Sequence, residues 1–153
     1  KNRACIVGMS YGGYAALSGI SKTPELYQCA VSINGVSDLN RMMEVTQRKY
    51  GSDHWVMSYW KGSMAAGLAT EEYLDQISPV NDAANVTKPV LLIHGTRDKV
   101  VPYEQSKRML EALKKANKDV TYIELEDAGH SFYREHYHLQ VLNSLDAFLT
   151  KHI

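Results

Sequence analysis

Four short apolar runs punctuate the chain. Ala4-Cys5-Ile6-Val7 is stopped by Gly8, and Cys29-Ala30-Val31-Ser32-Ile33 by Asn34-Gly35. Val90-Leu91-Leu92-Ile93 follows Pro89 and is stopped by His94-Gly95, and Val120 to Leu125 forms the last run. Their shortness, β-branched content and flanking Gly, Pro and Asn predict strands. The first and third are almost wholly apolar, as strands covered on both faces of a parallel sheet must be. The fourth mixes polar with apolar positions, which fits a sheet edge.

Between the runs the period becomes helical. Gly12 to Ile20 is small and apolar, suited to lying close on a sheet. Tyr103 to Ala116 follows Pro102 and sets Met109, Leu110, Leu113 and Ala116 on one stripe. Tyr133, Tyr137, Val141, Leu145, Phe148 and Leu149 recur at helical spacing and predict a C-terminal helix docked on the sheet. Strand–helix alternation of this kind predicts an α/β fold with right-handed crossovers. The expected sheet is mostly parallel, of about four strands, flanked by helices. Residues 38–88 break the pattern, holding Tyr50, Trp55, Tyr59, Trp60 and four of the six methionines, Met42, Met43, Met57 and Met64. That is too aromatic for a disordered linker, and short helices over the sheet are expected.

Composition narrows the function classes. The 153 residues are 44% hydrophobic and 22% charged, which suits one domain with a core or part of a larger one. Lys plus Arg and Asp plus Glu are 17 each, so the net charge of zero argues against a nucleic-acid surface. No apolar run approaches the ~20 residues that span a bilayer. Ala4 to Val7, behind Lys1-Asn2-Arg3, is too short for the core of a secretory signal. Localisation is therefore not written at this N-terminus, and a cytoplasmic location is the favoured expectation. Cys5 and Cys29 make no framework and no C-x-x-C. They read as buried thiols, with a disulfide between neighbouring strands as the alternative in an oxidising compartment.

The chemistry concentrates at strand ends. Gly8-Met9-Ser10-Tyr11-Gly12 fits G-x-S-x-G, directly after an apolar strand and directly before a small-residue helix. That context is what a nucleophile elbow requires. Gly8 and Gly12 would let strand and helix approach, Ser10 would stand out at the carboxyl end of the sheet, and the Tyr11 N–H would face an oxyanion. A serine hydroxyl needs a base, and the expected order is Ser, acid, His. Asp98 follows the third strand and His130 the fourth, both in loops where parallel sheets place their sites. His130 would take the Ser10 proton and Asp98 would orient the imidazole. The competitors are weaker. His94 ends a strand and reads as structural, Glu126 and Asp127 fall after the last strand, and His54 and His152 read as surface residues. His136 and His138 are two apart and make a poor metal pair. Without H-E-x-x-H, a Cys/His cluster or a nucleotide-binding glycine motif, no metal and no cofactor is expected.

The chain also opens on a strand and reaches this motif almost at once. It is either a small four-stranded protein or the C-terminal piece of a larger one.

Gly8-Met9-Ser10-Tyr11-Gly12-Gly13-Tyr14, Ser78-Pro79 and Leu92-Ile93-His94-Gly95-Thr96-Arg97-Asp98-Lys99-Val100-Val101-Pro102, with Gly129-His130, resemble the catalytic α/β-hydrolase domain of the prolyl oligopeptidase family of serine peptidases. The resemblance lies nearest the acylaminoacyl-peptidase and dipeptidyl-peptidase branches and covers essentially the whole chain. It implies a serine hydrolase of peptide bonds, in oligopeptides or N-acylated peptides, working through an acyl-enzyme. Ser10 would be nucleophile, Asp98 acid, His130 base, and the Tyr11 backbone one oxyanion donor. The Tyr11 ring, Val36 and Val100 would line the pocket for the residue before the scissile bond. Residues 1–153 would then be the C-terminal portion of a partial α/β-hydrolase fold, with the upstream strands and a β-propeller absent.

In the family the missing half supplies the other oxyanion donor, whose loss typically costs ~10²–10³ in rate. The chain alone is thus expected to be weakly active or inactive. The first strand becomes an open apolar edge, so self-association or pairing with the missing upstream segment is expected there. No nucleic-acid or membrane partner is implied. A carboxylesterase on the same scaffold and a non-catalytic, truncated interaction fragment are the alternatives.

Overall fold

The computed structural model describes residues 3–65 and 70–153. Lys1 and Asn2 of the basic start, and 66–69 of the aromatic stretch, lie outside the described residues. Each apolar run forms a strand: β1 Cys5–Met9, β2 Cys29–Ile33, β3 Val90–Gly95 and β4 Val120–Leu125. They make one parallel sheet in the order β1-β2-β3-β4. The helices are α1 Tyr11–Lys22, α2 Leu39–Tyr50, α3 Trp55–Ala65, α4 Glu71–Gln76, α5 Glu104–Lys115 and α6 Glu135–His152. Short 3₁₀ turns span Pro24–Leu26 and Pro79–Asn85.

The period-two alternation of a strand sends neighbouring residues to opposite faces. Cys29, Val31, Ile33, Leu91 and Ile93 face Tyr137, Val141 and Phe148 of α6. Ala30, Val90 and Leu92 face Leu17 and Ile20 of α1 and Met109 and Leu113 of α5. Both middle strands are buried at every position, which is why their polar content is so low. At roughly 1.5–3 kcal/mol per fully buried large apolar side chain, these two clusters carry the sheet. β4 is an edge, as its mixed pattern predicts, with exposed Thr121 and Glu124 between less exposed positions.

The aromatic stretch folds as short helices with local signals. Asp38 caps α2 by accepting from the Arg41 N–H at 2.9 Å, and Thr70 caps α4 by accepting from the Tyr73 N–H at 3.2 Å. Two expectations need adjustment. α6 begins at Glu135, so Tyr133 stands outside it and is 93% exposed. His54 and His152 are half-buried, their rings 4.9 Å from Tyr50 and 4.6 Å from Phe148.

The thiol reading is corrected. Cys5 and Cys29 are register partners on β1 and β2, with Cα atoms 4.6 Å apart, and form a disulfide. Linking residues 24 apart in sequence restricts the unfolded chain by about 3–4 kcal/mol in the loop-entropy description. Such bonds persist in oxidising surroundings and are rare in reducing ones. No helix among the described residues is long and apolar enough to cross a membrane.

Candidate active site

Parallel register brings the carboxyl ends of all four strands to one rim, and each candidate side chain leaves from that rim. Ser10 follows β1 directly. Its backbone sits at φ 57°, a conformation that costs an L-residue energy unless the surroundings enforce it. Two hydrogen bonds enforce it here: Ser10 N–H donates to the Ile33 carbonyl at 2.9 Å, and Tyr14 N–H donates to the Ser10 carbonyl at 3.1 Å. A Cβ on Gly8 would lie 2.1 Å from the Gly12 carbonyl oxygen, so only glycine fits where the strand passes the helix. Gly12 is different from the expectation: a Cβ there meets nothing within 4 Å. The second close approach belongs to Gly13, whose Cβ would fall 2.7 Å from the Gly35 Cα.

Asp98 and His130 lie on two loops laced to each other. Thr96 N–H donates to the Leu125 carbonyl (3.1 Å), Arg97 N–H to the Ala128 carbonyl (3.0 Å), and Asp127 N–H to Thr96 Oγ1 (2.9 Å). The result joins the three sequence-predicted residues. His130 Nδ1 lies 2.6 Å from Asp98 Oδ2, and His130 Nε2 lies 3.0 Å from Ser10 Oγ. Assigned by this network, Nδ1–H donates to the carboxylate and Nε2 accepts from the serine hydroxyl.

Asp98 is buried, and burial alone would push its carboxyl up. The hydrogen bonds from His94 and His130 and from the backbone N–H groups of Val100 and Val101 outweigh that and hold it below the ordinary aspartate range. The two backbone donors reach Oδ1 at 2.8 and 2.9 Å. The carboxylate is therefore ionised beside His130. His94 is fully buried behind it, as the structural reading of that residue requires. Its Nδ1 accepts from the Ser106 hydroxyl at 2.7 Å, and its Nε2 donates to the Val101 carbonyl at 3.0 Å, with Asp98 Oδ2 3.5 Å away.

A cavity of about 180 Å³ opens beside Ser10. Tyr11, Val36 and Val100 all line it, together with Leu39, Met42, Trp60, Met64 and Ile77. The last five come from the aromatic and methionine-rich stretch and the turn after it. Sequence reading missed them as a wall, although the density of Met and Trp in residues 38–64 was the available signal. Tyr11 is 71% exposed at the cavity mouth. Its N–H belongs to the first turn of α1, where N–H groups have no partner within the helix. Among the described residues, no group of three or more His, Cys, Asp or Glu is placed to hold a metal ion.

Comparison with known proteins agrees over the whole chain. The sequence profile of the prolyl oligopeptidase family matches residues 1–153. Dipeptidyl aminopeptidase BIII of Pseudoxanthomonas mexicana is 32% identical over 134 residues, covering 88% of this chain and 19% of that protein. A solved structure of a Mycobacterium tuberculosis puromycin-hydrolyzing peptidase superposes with a TM-score of 0.83 at 28% identity, over 95% of this chain and 21% of that one. Esterase LipC of Mycobacterium tuberculosis is 25% identical, over 86% of this chain and 35% of the esterase. The chain spans about a fifth of the length of the curated peptidases it matches.

Proposed function

The chain belongs to the prolyl oligopeptidase family, and from that membership we propose that it carries the catalytic centre of a serine peptidase. The observation that supports this best is the unbroken chain of contacts from Ser10 Oγ through His130 to Asp98. In this reading Ser10 attacks the scissile carbonyl while His130 Nε2 takes its proton. The developing oxyanion turns to the Tyr11 N–H at the helix N-terminus. His130 then returns the proton to the leaving amine, and water releases the acyl group from Ser10 by the same relay in reverse. Asp98 stays ionised and holds the imidazolium that forms.

The substrate is a peptide, and the cavity beside Ser10 takes the side chain before the scissile bond. Apolar cavities of roughly 150 Å³ accept a benzene ring, so about 180 Å³ suits Phe, Leu or Met. Among the described residues the wall offers no charged side chain to pair with Asp, Glu, Lys or Arg, and an unpaired buried charge is costly. The hydroxyl of Tyr14, the one phenol deeper in the wall, is already donated to the Ile77 carbonyl at 3.0 Å. N-acylated peptide amides with Phe, Leu or Met at that position are expected to be cleaved with at least tenfold higher kcat/KM than those with Asp or Lys. Equal rates across the series would remove the pocket assignment. Turnover of matched short esters with no turnover of any amide would favour the second reading, a carboxylesterase, which the likeness to Esterase LipC supports.

The same reading assigns a partner to β1. Its outer edge pairs with nothing among the described residues, and Val7 and Met9 are 46% and 39% exposed there. An open apolar edge is a template for another strand. We assign that strand to an upstream segment of a longer polypeptide or, without one, to a second copy of this chain. The 153-residue chain is then expected to associate with rising concentration in analytical ultracentrifugation, and a clean monomer at high concentration would end this assignment.

A further inference from the structure

Asn34 directly follows β2 and is fully buried. Its backbone is at φ 47°, a left-handed conformation that Asn tolerates better than most residues. Each polar atom of its side chain has one partner. Gly95 N–H donates to Oδ1 at 2.9 Å, and Nδ2 donates to the backbone carbonyl of His130, also at 2.9 Å. Its own N–H donates to the Ile93 carbonyl at 2.9 Å. One neighbour offers only a donor and the other only an acceptor, so the amide can sit one way round.

These contacts tie together the three residues of the site. The residue before Asn34, Ile33, holds the backbone of Ser10 through its carbonyl. Gly95, held by Oδ1, accepts from Asp98 N–H through its own carbonyl at 3.1 Å. The Nδ2 bond is the one hydrogen bond that reaches the main chain of His130 among the described residues, across 96 positions of sequence. Apart from it, His130 is held by the same ring contacts that the chemistry uses. Leu125, Asp127 and Ala128 lace the preceding part of the loop to the Asp98 loop, and the Asn34 bond alone among the described residues acts on the His130 main chain itself.

We propose that Asn34 is a positioning residue for His130: through its side-chain amide it fixes the histidine loop over the end of β2, in register with Ser10. The role rests on the peptidase reading above. A carboxylate at this position keeps the acceptor for Gly95 but has no donor for His130, and alanine has neither.

The test compares wild type, Asn34→Ala and Asn34→Asp at pH 8, each checked for folding by circular dichroism and melting. A fluorophosphonate reporter measures covalent labelling of Ser10 as a saturable rate, and NMR follows the downfield Nδ1–H proton of His130. Small displacements of a catalytic group cost on the order of 10²-fold. Both folded variants are expected to label about 10²-fold more slowly through the maximal rate, with half-saturation unchanged, and their Nδ1–H signal is expected to shift or broaden. Labelling of either folded variant within twofold of wild type would overturn the proposal. If Asn34→Ala does not fold, Asn34→Asp carries the comparison, because it keeps the Gly95 contact and the tolerance of positive φ. If folded wild type is not labelled at all, the peptidase reading fails separately, and the NMR signal decides alone. An unchanged signal in the variants then refutes the positioning role, and a displaced one upholds it.

Discussion

Ser10→Ala is expected to abolish labelling of this protein by a fluorophosphonate and to lower any peptide or ester hydrolysis to background, a loss of up to roughly 10⁶-fold where a complete catalytic centre loses its nucleophile. The expectation follows from how the hydroxyl is held. A serine O–H is a weak nucleophile until a base takes its proton, and Ser10 Oγ lies 3.0 Å from the one imidazole nitrogen free to do so. The other nitrogen of that ring is committed to an ionised carboxylate at 2.6 Å. The His94 ring is no substitute base, because both its nitrogens are engaged with Ser106 and Val101 and it is sealed from solvent. The fold should not suffer. The Ser10 side chain makes one hydrogen bond, to His130, and the elbow is held by backbone bonds to Ile33 and Tyr14 that alanine keeps. Mass spectrometry of the labelled chain and a melting curve check both halves. Undiminished labelling in folded Ser10→Ala protein would move the chemistry to another residue.

Gly8→Ala should unfold or strongly destabilise the protein, while Gly12→Ala should not. The motif treats these two glycines alike, but their surroundings differ. A Cβ on Gly8 would lie 2.1 Å from the carbonyl oxygen and 2.2 Å from the carbonyl carbon of Gly12, both backbone atoms. No rotamer change relieves such a contact, so β1 or α1 must move, and Ser10 lies between them. Overpacking costs typically 1–3 kcal/mol and more where nothing can yield. We expect at least about 3 kcal/mol, a fall in Tm on the order of 10 °C for a domain of this size. Labelling of Ser10 should drop even in the fraction that stays folded. Gly12 lies inside α1 with open space at its Cβ position. Alanine there should hold or raise stability by up to about 1 kcal/mol through helix propensity. Differential scanning calorimetry of the two variants is the measurement, and equal melting temperatures would refute the packing argument.

The local grammar of the chain was readable without coordinates. Strands β1 to β4, helices α1, α5 and α6 and the turn at Ser10 are all written in spacings of two, three or four residues and in turn chemistry, and Asp98 and His130 each stood out by following a strand end. Those signals lie within a few residues of each other, so they survive in one dimension. The fourth strand showed its edge position in the same way, because a half-exposed strand must carry polar side chains.

Other features are contacts between distant segments, and no local pattern encodes them. Cys5 and Cys29 become partners only when β1 and β2 fall into a particular register, and each cysteine on its own looks like any buried thiol. Leu39, Met42, Trp60 and Met64 become one wall because α2 and α3 fold back over the elbow. In the sequence they are only an unusual density of large apolar residues. Which elbow glycine is indispensable depends on the path of a helix past a strand. Asn34 reads as a strand stop beside Gly35, and only folding turns its amide toward a carbonyl 96 residues away. Periodicity determines what each segment becomes, and the meeting of segments determines what each side chain does.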